Sequence, residues 1–268
     1  MPAALPSPPA ACRALYTRHV SESPQPEGLG DQAYRAAVTD LLGLLAYAEL
    51  VAFFRLSDDA ALAPSIADKA ALGRMAVAEF SHFQRLWNQL DELGADPEQA
   101  MHPFAGPLDA FHAQTAPSDW LEGLVKAYVG DGIAADFYRA VAEFLDPRTR
   151  ELVLEVLADT GHAEFVVERV RQATQADRTV AGRLALWARR LVGEALGQAQ
   201  RVAAQREPLL HLLAGQVAAP DAVARTGPRP AATAENGEGS SELGEIGRLF
   251  ARITDAHTKR MSALGLDA

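Results

Sequence analysis

Cysteine is all but missing from this 268-residue chain: the one residue, Cys12, lies in a proline-rich leader and excludes any intrachain disulfide. Positive charge is also short, since 25 Lys and Arg against 35 Asp and Glu give a net charge of -10, which repels nucleic-acid backbones and anionic lipid surfaces. No glycine-rich phosphate loop, C-x-x-C pair or nucleophile elbow is present, so nucleotide-cradling, dithiol and serine-hydrolase chemistry find no support. The longest apolar run, LLGLLAYAELVAFF at 41–54, carries Glu49 and is shorter than the roughly 20 residues of a spanning helix. Residues 1–30 lack the apolar core of a secretory signal. These absences predict a cytoplasmic protein with no membrane attachment.

Alternating β-branched runs are few, and from Asp31 onward apolar residues recur at three- and four-residue spacing, which predicts an all-α fold. A flexible arm over 1–30 precedes a helical bundle over 31–215, a disordered linker over 216–241 and an amphipathic helix over 242–268. Within the bundle, long helices are expected at 31–56, from Ser65 to Gly94, at 118–145, at 147–175 and from Asp177 to about Arg206. The four prolines of the connector at 95–117 predict a crossover with only a short helical piece at 108–114.

What the chain does have is a repeated polar intrusion into apolar helix faces. Glu79 and His82, three residues apart, share the stripe of Leu72, Met75, Phe83 and Leu86; Asp159 and His162 share that of Leu152, Val156, Ala163 and Val166. Glu49 falls on the stripe of Leu42, Leu45, Phe53 and Leu56, and Asp131 on that of Leu124, Tyr128, Ala135 and Tyr138. The separations echo, 30 residues from Glu49 to Glu79 and 28 from Asp131 to Asp159, as for two helix pairs related by a pseudo-twofold. Asp136 is the rival to Asp131 and Glu155 to Asp159; the stripes favour Asp131 and Asp159. Four buried carboxylates and two imidazoles are ruinous if left bare, and two divalent cations neutralise them; mixed oxygen and imidazole donors suit iron or manganese.

The set Glu49, Glu79 with His82, Asp131, and Asp159 with His162 resembles the ferritin-like di-metal carboxylate proteins, whose bundle takes one acid from each of two helices and Glu-x-x-His from each of the other two. The resemblance covers 31 to about 175 and implies a ferritin-like four-helix bundle with a long crossover, plus additional C-terminal helices. It departs from the usual pattern at Asp131 and Asp159, each one methylene shorter than glutamate. The segment KAYVGDGIAADFYRAVAEFLDPRTRELVLEVLADTGHAEF is similar to an actinobacterial branch resembling the tRNA hydroxylase of methylthio-isopentenyl adenosine.

That resemblance implies a di-iron oxidoreductase that uses O2 to hydroxylate a small-molecule substrate, with an electron donor as partner. It also brings a tRNA partner that the net charge opposes, and is compatible with a homodimer. Two other readings stay open: an iron-handling protein of ferroxidase type, and a ferritin-like scaffold without metal. Tyr47, Tyr128 and Tyr138 are candidates to orient ligands, whereas His19, His112, His211 and His257 read as surface histidines.

Overall fold

The structure, a computed structural model, describes residues 29–158, 162–215, 217–219, 222 and 238–266. Every element among these residues is helical, as the periodicity predicts. The order is α1 (Leu29–Leu62), α2 (Ile66–Glu92), α3 (Pro97–Gln114), α4 (Trp120–Val141), a 3-10 turn (Ala142–Phe144), α5 (Pro147–Val156), α6 (His162–Ala176), α7 (Arg178–Gln205), α8 (Glu207–Leu213) and α9 (Glu238–Leu264).

Helix α1 has 34 residues and spans about 51 Å at 1.5 Å per residue. It overruns the expected stop at Ser57-Asp58-Asp59 because the Ser57 hydroxyl donates back to the Phe53 carbonyl (2.7 Å), leaving the helix uncapped there. The stop comes at Ala63, which precedes Pro64 and is disfavoured in helical geometry. By length and composition α1 could cross a membrane, yet its apolar face is largely buried inside the protein. Helix α2 starts on Ser65, whose hydroxyl accepts from the Asp68 amide (3.1 Å). It ends where Gly94 takes φ +75°, and the Ala95 amide reaches back to the Leu90 carbonyl (3.0 Å).

The connector departs from expectation: 97–114 form one helix with Pro103 and Pro107 inside it. Asp96 caps it, accepting from the Glu98 and Gln99 amides (2.9 and 3.2 Å), and Pro97 sits where no amide hydrogen is needed. The lost ladder bonds are offset by burial of Met101 and Phe104 against α1. Close approach is permitted by Gly43, where a Cβ would stand 2.2 Å from the Ala100 carbonyl oxygen.

A second departure lies between α5 and α6, expected as one helix. Asp146 caps α5, accepting from the Thr149 amide (3.0 Å), and Pro147 opens it, as the sequence indicated. The helix nevertheless stops at Val156, and a new one starts at His162. The intervening sequence contains Asp159, Thr160 and Gly161, types that favour caps and turns over helix interiors.

Two apolar clusters form the interior. One joins the N-terminal half of α1 to α3, α5 and α8 through Leu41, Leu45, Phe104, Val153 and Leu209. The other joins the C-terminal half of α1 and α2 to α4, α6, α7 and α9. Leu249, Ile253, Met261 and Leu264 bury the apolar face of α9 against the bundle, so this helix docks on its own chain. Of the linker expected at 216–241, residues 216, 220–221 and 223–237 lie outside the described residues, while 238–241 already belong to α9.

Candidate metal centre

Five of the six sequence-selected residues come together. Glu49 enters from α1, Glu79 and His82 from α2, Asp131 from α4, and His162 from the first turn of α6. Asp159 lies outside the described residues. Glu49, Glu79 and His82 form one donor group and Glu79, Asp131 and His162 a second, the ligand atoms of each lying within 4.8 Å of one another. Glu79 is common to both.

Both imidazoles turn Nδ1 toward the carboxylates. His82 Nδ1 stands 3.4 Å from Glu49 Oε2 and 3.7 Å from Glu79 Oε2; His162 Nδ1 stands 3.1 Å from Asp131 Oδ2. Metal–ligand bonds of about 2.1 Å place neighbouring donors ~3 Å apart, so the spacing is close to that of a shared ion. Glu49 Oε2 and His82 Nδ1 are buried without a hydrogen-bond partner, an arrangement a cation between them would complete.

The electrostatics carry the same message. Burial, then hydrogen bonding to Glu79, holds the Glu49 carboxyl well above the usual range. Burial pushes Glu79 the same way, but Glu49 and the two imidazoles outweigh it and hold this carboxyl low. The Glu49 and Glu79 carboxylates raise His82 to about 9 against its own burial. The metal-free cluster therefore keeps protons where cations would sit.

Asp131 differs from the expectation of a core-facing acid. Its side chain is 50% exposed, because that face of α4 borders a cavity rather than packed side chains. The rival acids point elsewhere: Asp136 pairs with Arg260 of α9 (2.7 Å), and Glu155 pairs with Arg85 on the outer surface. Gly132 gives Arg260 room, since a Cβ there would stand 2.5 Å from its Cδ. The tyrosines divide. Tyr47 donates to Asp109 (2.9 Å), away from the cluster, while Tyr138 is buried beside Glu49, burial and that charge raising its hydroxyl.

A cavity of about 520 Å³ opens from the cluster between α1, α3, α4 and α7, within the range of small-molecule sites. Leu45, Leu56, Ile133 and Phe137 are among its walls. Among the polar residues on this cavity, Asp59 and Lys126 were not singled out from the sequence, and His112 was expected at the surface. His112 and His257, read as surface residues, are largely buried. Asp59 lies beyond the expected end of α1 at 56, about 80° off the Glu49 face, so no apolar stripe pointed to it.

A helical bundle that gathers carboxylates and imidazoles at one interior point is the ferritin-like arrangement. The chain belongs to the family of actinomycete ferritin-like domains, whose model matches residues 32–216. A comparison with the curated proteins finds no match. Among solved structures, a protein from Synechococcus with aldehyde deformylating oxidase activity is similar in fold, with a TM-score of 0.53 and 17% identity. That alignment covers 90% of this chain and 98% of the other.

Proposed function

We propose that this protein is a non-haem di-iron oxidoreductase that hydroxylates an apolar small molecule. The observation that carries the reading is Glu79, shared by two carboxylate–imidazole groups whose ligand atoms lie within 4.8 Å. Glu49, Glu79 and His82 would hold one ion; Glu79, Asp131 and His162 the other, joined by Asp159, which the helical spacing nominates as a second bridge. Oxygen and nitrogen donors in this proportion suit iron, with manganese the alternative. Bound iron would supply the activation of dioxygen.

The chain's own contribution is the surrounding space. Leu45, Ile133 and Phe137 give an apolar wall that binds a hydrocarbon and excludes water from the reacting end. Tyr138 Oη keeps its proton at all physiological pH values and offers a donor beside Glu49. The reaction balances when one atom of dioxygen enters a C–H bond as a hydroxyl and the other leaves as water, with two electrons from an external donor and two protons. An apolar cavity and the net charge of -10 favour a small molecule over the tRNA substrate suggested by the resemblance of 126–165.

The test is incorporation from isotopically labelled dioxygen by iron-loaded protein, given a chemical reductant and a mixture of aliphatic amphiphiles. Labelled hydroxylated product with the wild type and none with Glu79→Ala is expected. Ferrous ion oxidised with no organic product would instead make this an iron-handling protein, and no iron uptake at all would leave a scaffold.

A further inference from the structure

The cavity has a second polar end that the metal centre does not use. Asp59 of α1, His112 of α3 and Lys126 of α4 line it with Arg55, and Asp59 lies about 15 Å along α1 from Glu49 at 1.5 Å per residue. Asp59 and Lys126 are each only 8% exposed. The Asp59 carboxyl rests on the bare Cα of Gly123, where a Cβ would stand 2.8 Å from its Cγ, and it makes no hydrogen bond or close ion pair among the described residues. Lys126 donates one proton to the Thr115 carbonyl (2.7 Å), leaving two further donors. His112 Nδ1 is buried with no hydrogen-bond partner. Burial drives all three toward neutrality, raising Asp59 to about 6 and lowering Lys126 to about 8 and His112 to about 3. Buried groups of this kind are destabilising unless something completes them.

We propose that this cluster is a headgroup subsite, taking a hydroxyl or primary carboxamide at the end of an elongated apolar substrate remote from the metal centre. Head groups separate by what they can do here. A carboxylate accepts from Lys126 but faces Asp59; an ammonium donates to Asp59 but faces Lys126 and Arg55. A hydroxyl or carboxamide donates to Asp59 and accepts from Lys126 at once, and brings no charge into a desolvated site. The apolar chain then runs past Leu45 and Leu56 toward Glu49. The proposal rests on the reading of this cavity as a substrate cavity.

Binding of decan-1-ol, decanamide, decanoate and decylamine to the full-length protein, followed by calorimetry at neutral pH, tests it. The alcohol and the amide are expected to bind at least tenfold more tightly than the acid and the amine. In Asp59→Asn, which keeps the shape and removes the charge, decanoate should overtake the alcohol, because Lys126 is no longer opposed, Arg55 being paired with Asp58 (3.4 Å). In Lys126→Met, decylamine should overtake it instead. Decanoate preferred by the wild type, or the wild-type order surviving in whichever of these variants folds, overturns the subsite. Glu79→Ala separates the two readings: it is expected to lose metal while keeping the head-group order, so metal retained counts against the metal centre, and loss of that order counts against the subsite.

Discussion

Among the described residues, Glu79 alone belongs to both donor groups. Its removal should empty both metal sites, whereas His82→Ala removes a donor from one group and should leave about half the metal, a contrast that elemental analysis of the two variants resolves. His112 gives a separate residue-scale prediction. Burial first, then the Lys126 and Arg55 charges, lowers it to about 3 from 6.5, so protonation favours the unfolded chain. The stability it contributes is complete above pH 6.5 and is lost as pH falls through that value toward 3. In urea unfolding, going from neutral pH to pH ~5 should therefore cost the wild type about 2 kcal/mol more than His112→Gln, at 1.36 kcal/mol per unit. A constant gap would mean that His112 is solvated.

At the scale of the helices, Glu49, Glu79 and His82 face inward, as their apolar stripes indicated, because a long helix with one buried face repeats its geometry faithfully from turn to turn. Asp131 was less legible: a stripe says that a side chain faces inward, not whether packed atoms or a cavity meet it there. The break after Val156 was hidden for a related reason, since apolar periodicity continues through 152–166 while the residue types at 159–161 have low helix propensity. Only the end of α3, at 108–114, was expected; its first part went unseen because proline counts measure local cost alone, and the compensating contact of Ala100 with Gly43 is tertiary. That contact is testable. Gly43→Ala puts a Cβ 2.2 Å from the Ala100 carbonyl oxygen and should cost about 1–3 kcal/mol by overpacking, read from thermal melts. An unchanged melting temperature would show that α3 can back away. Asp59 and Lys126 escaped notice because two charges on different helices carry no shared periodicity.

For the molecule as a whole, the acidic, proton-holding interior needs something to neutralise it. Glu49 and His82 keep protons in the metal-free state, so ferrous ion should compete with protons and bind more tightly as pH rises. Bound metal should also stabilise the fold, by about 2.7 kcal/mol at a free concentration one hundred times Kd. The family match to 32–216 leaves the docked α9 outside it, although α9 supplies the Arg260 that lines the cavity and pairs with Asp136. The most direct measurement is the metal content of protein purified from iron-supplemented medium, compared between wild type and Glu79→Ala. Two iron atoms per chain, falling to none in the variant, is the result predicted here; a wild-type protein that carries no iron or manganese, or a variant that keeps both ions, would contradict it.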